Sequence, residues 1–258
     1  MKLFYREKGQ GPPLVILHGL WGASENWLPV ANRLADAYRV ILPDLRNHGR
    51  SPRAAAMDLE TMAGDVDELV ASLSLPARPA LLGHSLGGKV AMTLWLERPG
   101  AFSRLVVADV APVRYPPLYA AGHERLLAVM EQLDLARFPT LSVLSAALVA
   151  RLPLERERQL VLKNVRRDGR GLAWKVNLPA IRANLDRLLD FPRHLPPVPP
   201  GDRVLFVRGE RSDHLVPGDS SFLSFFPGAR LVQVDDCGHW LHAEQPGQLA
   251  RVIRDFLA

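Results

Sequence analysis

Short apolar runs alternate with longer amphipathic segments along most of the chain. Six runs rich in Leu, Ile and Val are each followed within two residues by Gly, Asp or Pro; they cover 14–17, 39–42, 80–82, 105–108, 204–207 and 231–234. Runs of this kind are typical of strands buried on both faces of a sheet. The segments 25–37, 59–73, 86–97 and 248–257 repeat apolar residues at helical spacing. The alternation predicts an α/β fold, with a mostly parallel central sheet flanked by helices.

This alternation stops between residues 109 and 204. No apolar run of the same type recurs from about 112 to 200, where the segments 118–135, 141–151, 154–165 and 180–189 have helical spacing. The proline-rich segment 194–201 can continue neither a helix nor a central strand, so it predicts a stiff return linker. We therefore predict a helical lid (112–200) inserted into a core formed by 1–111 and 201–258. The lid is expected to lie over the carboxyl edge of the sheet.

Composition restricts the classes of function. The 258 residues are 48% hydrophobic and 23% charged, which excludes global disorder. The net charge of +5 is spread over many segments, and the most basic stretch, 151–170, also carries Glu155, Glu157 and Asp168. Such a mixture predicts a solvated face rather than a surface for nucleic acid. The single cysteine, Cys237, excludes an internal disulfide and a multi-cysteine metal site.

Several kinds of segment and motif are missing from the sequence. The first eight residues become charged before an apolar segment develops, and no uncharged apolar run approaches the ~18 residues of a membrane span. We therefore expect no signal peptide, no stable membrane insertion and a cytoplasmic location. The glycine-rich dinucleotide motif, the phosphate-binding loop and the H-E-x-x-H zinc motif are absent. No cofactor and no metal are expected.

One motif carries candidate chemistry. Gly83-His84-Ser85-Leu86-Gly87 matches G-x-S-x-G between a predicted strand and a predicted helix, the context of a nucleophile elbow. A serine hydroxyl is a poor nucleophile unless a base takes its proton. His239 is the best candidate base, because it follows the last predicted strand after Gly238. The carboxyl ends of parallel strands share one edge of the sheet, so Ser85 and His239 can meet there.

Together these motifs resemble α/β-hydrolases over essentially the whole chain. The resemblance is carried by His18-Gly19 after a strand, Asp44-x-Arg46-x-x-Gly49-x-Ser51 after the next strand, the elbow motif, and Gly238-His239. Within that superfamily, the segments 109–113 (D-V-A-P-V), 85–89 (S-L-G-G-K) and 238–244 (G-H-W-L-H-A-E) resemble YbfF-type bacterial esterases. The resemblance implies Ser85 as nucleophile, His239 as base, and an oxyanion hole formed by the backbone N–H groups of Leu20 and Leu86. Trp21 and Trp240 are expected near the substrate pocket.

Two residues could be the acid that orients His239. Most α/β-hydrolases place this acid after the penultimate strand, where Asp213 lies in Gly209-Glu210-Arg211-Ser212-Asp213, one residue later than the commonest spacing. The resemblance to YbfF-type esterases implies the alternative position, in which the acid follows the strand after the elbow strand. Asp109 lies at that position. We favour Asp109 on this resemblance, but both loops open on the same edge of the sheet.

The resulting hypothesis is a serine hydrolase that cleaves carboxylic esters or acyl thioesters of short to medium chain length through an acyl-enzyme. A small-molecule ester or thioester would be its partner, and the protein would be a monomer or a homodimer. The same scaffold also supports carbon–carbon hydrolases, lyases and cofactor-free haloperoxidases, so the fold does not name the reaction. A second class is a ligand-binding, hydrolase-like receptor with vestigial catalysis.

Overall fold

A seven-stranded sheet forms the centre of the protein in a computed structural model that describes residues 1–169, 171–201 and 203–258. The strands are β1 (Tyr5–Lys8), β2 (Pro13–Leu17), β3 (Arg39–Pro43), β4 (Ala80–His84), β5 (Leu105–Ala108), β6 (Val165–Asp168), β7 (Gly171–Trp174), β8 (Val204–Gly209) and β9 (Arg230–Val234). The sheet order is β1-β3-β2-β4-β5-β8-β9, and every neighbouring pair is parallel except β1 with β3. Arg170, the last residue of the basic stretch, lies outside the described residues.

Helices pack on both faces of the sheet. They are α1 (Leu28–Leu34), α2 (Leu59–Ser72), α3 (Leu86–Glu97), α4 (Pro117–Glu131), α5 (Leu141–Leu148), α6 (Glu155–Lys163), α7 (Leu178–Leu189), α8 (Leu241–Glu244) and α9 (Pro246–Leu257). Side chains alternate along β2: Val15 and Leu17 pack in the core cluster that contains the apolar residues of α2 and α3. Leu14 and Ile16 pack in the cluster that contains those of α1 and α9. The predicted mostly parallel α/β fold is confirmed.

Two features of the sheet differ from the sequence prediction. The charged edge strand β1 was not predicted, because its residues have no apolar run; it is held by antiparallel pairing with β3. The prediction that each apolar run is buried on both faces holds for β2, β4, β5 and β8 but is wrong for β9. In β9 the side chain of Val232 is 36% exposed, because this strand forms the other edge of the sheet.

The segment between β5 and β8 contains α4 to α7, at the places where the sequence predicts helices, but it is not purely helical. Strands β6 and β7 pair antiparallel with each other, and Val165, predicted to end a helix, begins β6. Their sequences, V-R-R-D and G-L-A-W, lack the apolar run that marks the strands of the sheet. The role of 112–200 as a lid stays a prediction. Within the described ranges, no helix has both the length and the apolar character needed to cross a membrane.

Candidate active site

Ser85 lies in a strained turn between β4 and α3. Its backbone has φ 53° and ψ −121°, a left-handed conformation that costs a non-glycine residue about 1–3 kcal/mol. The surrounding backbone holds this turn: the Ser85 N–H donates to the carbonyl of Ala108 at 3.1 Å, and its carbonyl accepts from the N–H of Lys89 at 3.0 Å. A side chain at Gly83 would collide with the backbone of Gly87, so the strand and helix can approach closely only with glycine there. The turn has the geometry of a nucleophile elbow.

A buried acid–base pair lies at the same edge of the sheet. The Nδ1 atom of His239 is 2.7 Å from Oδ2 of Asp109, whose side chain is fully buried at the end of β5. The other carboxylate oxygen accepts from the N–H of Gly209 at 3.0 Å, and the hydroxyl of Ser212 donates to Oδ2. Because a carboxylate only accepts hydrogen bonds, the contact places the proton of His239 on Nδ1 and leaves Nε2 free to act as a base.

Asp213, the alternative acid, lies elsewhere. Its side chain is 82% exposed, and its carboxylate is 3.1 Å from Nδ1 of His214. The structure therefore brings Asp109, rather than Asp213, into contact with His239. Ser212, the residue before Asp213, is the member of that loop that contacts the buried carboxylate.

Several imidazoles surround His239. The ring of His214 stacks on it with centroids 3.7 Å apart and an interplanar angle of 14°. The Nε2 atom of His84, the neighbour of Ser85, is 2.8 Å from the carbonyl oxygen of His239 and binds this residue beside the elbow. Burial lowers the pKa of His239 well below 6.5, and the rings of His214 and His84 lower it further. A neutral imidazole is the form that can accept a proton.

The pKa of Asp109, the acid of the pair, is shifted upward, opposite to that of His239. Burial raises the pKa of Asp109 to about 7, and the hydrogen bonds from Ser212 and Gly209 oppose this by stabilising the carboxylate. Because Asp109 and His239 are in direct contact, they take up a proton as a unit.

The same cluster is poorly suited to hold a metal ion. One potential ligand atom each of Asp109, His214 and His239 lies within 4.8 Å of the others. The nitrogen lone pairs of imidazole lie in the ring plane, so two stacked rings cannot both point at one ion without rotating. The carboxylate is also occupied by hydrogen bonds within the described part of the chain.

The loop after β2 passes directly against the elbow. A Cβ atom at Gly19 would lie 3.1 Å from Cβ of Ser85, so glycine lets the loop pass against the serine without displacing its neighbours. Leu20 and Leu86 line one cavity together with Ser85. Among the described residues, the backbone N–H groups of Leu20 and Leu86 have no hydrogen-bond acceptor. Backbone N–H groups without an internal acceptor can donate to an anionic oxygen held in such a cavity.

The cavity beside Ser85 is narrow, about 30 Å³, which is room for about two water molecules. Its wall combines residues of the core with residues of the inserted segment: Leu20, Ser85, Leu86, Lys89, Val110, Tyr115, Tyr119, His123, Leu188, Leu189 and His214. Trp21 and Trp240, expected near the pocket, are not on this wall. The buried indole of Trp21 donates to Nδ1 of His123 at 3.2 Å and so lies behind the lining. The guanidinium of Arg156 lies over the indole of Trp240, 5.7 Å from the centroid of that ring.

Lys89, the last residue of the S-L-G-G-K segment and one for which the sequence predicts no role, anchors the inserted segment to the elbow helix. Its buried ammonium donates to the carbonyls of Val113 at 2.9 Å, Leu189 at 2.6 Å and Asp190 at 2.9 Å. Burial lowers the pKa of Lys89 to about 7, and the nearby charge of Asp190 opposes this. The sequence offered one sign of this role, since Lys89 is a lysine within the apolar stretch of α3 and a buried lysine needs hydrogen-bond partners. No comparable signal marks Ser212.

Replacing Lys89 with methionine is expected to lower the free energy of unfolding by about 2–4 kcal/mol, because the part-buried carbonyls of Val113 and Asp190 lose their charged donor. The measurement is urea unfolding followed by circular dichroism. The matched control is Lys163→Met, at the exposed end of α6, which should change stability by less than about 0.5 kcal/mol. Equal stabilities for the two variants would contradict an anchoring role for Lys89.

Comparison with known proteins agrees with this architecture. The sequence profile of the alpha/beta hydrolase family matches residues 14–252. The chain is 32% identical over 254 residues to the mouse (Mus musculus) sn-1-specific diacylglycerol lipase ABHD11, covering 96% of this chain and 81% of that protein. It is 30% identical over 247 residues to esterase YbfF of Escherichia coli strain K12, covering 95% and 92%. A solved marine microorganism esterase superposes with a TM-score of 0.93 at 35% identity, covering 99% of both chains. The resemblance to α/β-hydrolases and YbfF is confirmed.

Proposed function

The chain belongs to the α/β-hydrolase family, and we propose that it is a serine carboxylesterase that acts through an acyl-enzyme. The observation that carries this proposal is the 2.7 Å contact between Asp109 and His239, next to a serine in a strained elbow. An oriented imidazole with a free Nε2 is what a serine needs in order to become a nucleophile.

The proposed reaction assigns one role to each group. The hydroxyl of Ser85 attacks the ester carbonyl while Nε2 of His239 takes its proton, and Asp109 stabilises the imidazolium that forms. The N–H groups of Leu20 and Leu86 bind the tetrahedral oxyanion, each contributing about 3 kcal/mol to transition-state stabilisation. His239 then protonates the leaving alkoxide or thiolate and afterwards activates water for deacylation.

The cavity favours a short acyl group. Leu188 and Leu189 from α7, with Tyr115 before α4, contribute apolar surface to the wall beside Ser85. A cavity of about 30 Å³ leaves little room beyond an acetyl group, and a medium-length chain would require the inserted segment to move. The leaving group can be an alcohol or a thiol, because the groups assigned here act on the carbonyl.

A panel of substrates tests this proposal. We expect p-nitrophenyl acetate and butyrate to be hydrolysed with multiple turnovers, and the decanoate at least about 10-fold more slowly in kcat/KM, because a long chain exceeds the cavity. Short acyl-CoA thioesters test the other leaving group. A fluorophosphonate probe should label Ser85 and stop turnover. Three outcomes would contradict the esterase proposal. Hydrolysis of a vinylogous diketone without ester hydrolysis would indicate a carbon–carbon hydrolase, and halogenation alone would indicate a haloperoxidase. Saturable ligand binding without turnover would indicate a receptor.

A further inference from the structure

Arginines line the edge of the sheet opposite the candidate active site. Arg104 and Arg203 stand immediately before β5 and β8, Arg230 is the first residue of β9, and Arg78 lies two residues before β4. These strands are consecutive neighbours in the sheet, so the arginines follow one another along its amino edge. Ser85, Asp109 and His239 instead follow the carboxyl ends of their strands.

An open cavity of about 270 Å³ lies at this amino edge. Its lining contains no Asp or Glu among the described residues and consists of Pro12, Pro13, Tyr38, Arg78, Ala80, Ser103, Arg104, Arg203 and Leu257. The strand order separates this lining into two parts. Pro12, Pro13 and Tyr38 belong to the β2 and β3 side, whereas Ser103 and the arginines belong to the β4, β5 and β8 side.

The lining arginines are positioned by aromatic rings and a backbone carbonyl, which carry no negative charge of their own. The guanidinium of Arg104 lies over the ring of Phe256 at 5.1 Å, and that of Arg203 lies over the ring of Trp95 at 5.1 Å. Arg78 donates to the carbonyl of Gly100 at 3.2 Å. None of the three arginines forms an ion pair with another described residue. Like charges on adjacent strands repel, so an anion between them would be stabilised.

We propose that this amino-edge cavity binds an organic phosphate. The phosphate would accept hydrogen bonds from Arg104 and Arg203, with Arg78 at the rim, because the planar guanidinium matches the oxygens of a phosphate. The organic part would pack against Pro12, Pro13 and Tyr38 on the other side of the cavity. The site is separate from ester hydrolysis at Ser85.

Calorimetric titration with phenyl phosphate tests the site, with inorganic phosphate and phenol as partial ligands. We expect saturable one-to-one binding with a Kd below about 1 mM. Inorganic phosphate should bind more weakly, and phenol should not bind detectably. Equal affinity for phenyl phosphate and inorganic phosphate would contradict the apolar part of the site.

Variants that replace one arginine with uncharged glutamine test whether particular arginines bind the phosphate or whether only the overall positive charge of this edge attracts it. Arg104→Gln and Arg203→Gln should each raise the Kd by about 10- to 100-fold. Arg230→Gln is the matched control: its guanidinium lies 5.5 Å from the same Phe256 ring and outside the cavity lining, and its Kd should change less than about threefold. All three should hydrolyse p-nitrophenyl butyrate like the wild type.

Two results would overturn the proposal. An equal loss of affinity in Arg230→Gln would show that only the diffuse charge of the edge attracts the anion. Absence of saturable binding by the wild-type protein would mean that the arginines serve only to neutralise the carbonyl ends of helices at this edge.

Discussion

Replacing Ser85 with alanine is expected to lower kcat for p-nitrophenyl butyrate by about 10⁴- to 10⁶-fold. The substitution removes the proposed nucleophile, so no acyl-enzyme can form. A residual rate above the uncatalysed reaction would come from the oxyanion-binding N–H groups of Leu20 and Leu86, which the variant retains. Steady-state hydrolysis at saturating substrate measures the effect.

The fold should survive this change. The alanine would adopt the same positive φ as the serine that it replaces, and the contacts that hold the turn are made by backbone atoms. Ser74→Ala is a matched control, because Ser74 is an exposed serine that also has a positive φ, 45°, and lies outside the site. Both variants should retain the wild-type Tm, and Ser74→Ala should retain activity. Substantial turnover by Ser85→Ala would refute the esterase proposal.

The second large effect on activity is expected from replacing Asp109, the acid proposed to orient His239. Asp109→Asn is expected to lower kcat by about 10³- to 10⁴-fold, because an amide stabilises neither the imidazolium nor the required tautomer of His239. Asp213→Asn should stay within about threefold of the wild type, since its carboxylate is exposed and contacts His214 instead. The two variants remove the same charge from adjacent loops, so each controls for the other. A large loss in Asp213→Asn alone would transfer the role to that residue.

The pH dependence distinguishes this role from a purely structural one. The negative charge of Asp109 favours protonated His239, whereas burial and the neighbouring imidazoles lower the pKa of His239. Without that charge the imidazole should bind its proton less tightly. The acid limb of the residual kcat/KM of Asp109→Asn should therefore lie at lower pH than in the wild type. Urea unfolding of both proteins checks that the loss of activity is not a loss of fold.

Much of the fold was accessible from hydrophobic periodicity because the strands of a parallel sheet are buried on both faces. The six apolar runs all form strands of the central sheet, and α3 matches its predicted bounds, 86–97. The signal fails for strands that lack a continuous apolar run. Strands β1, β6 and β7 are short and contain no continuous apolar run, and backbone pairing with a neighbouring strand holds them.

The candidate site divides in a similar way. Ser85 and His239 could be located because a tight turn and a strand end leave local patterns around them. The choice between Asp109 and Asp213 depends on which of two loops reaches the imidazole of His239, and Asp109 does so across 130 positions of the sequence. Trp21 was expected to place apolar surface near the substrate, but its indole is buried and donates to His123. Trp21 has a positive φ, and the direction of a side chain at such a residue cannot be predicted from composition.

The anchor made by Lys89 has a consequence for how this protein can change over evolution. All three of its acceptors are main-chain oxygens, one near the start of the inserted segment and two at its far end. Any residue at positions 113, 189 and 190 supplies the same oxygen. The sequence between these points, and with it the part of the cavity wall that the inserted segment supplies, can therefore diverge while its attachment to the helix that begins after Ser85 persists. The attachment depends on backbone atoms, whereas the side chains that the segment adds to the cavity wall can vary.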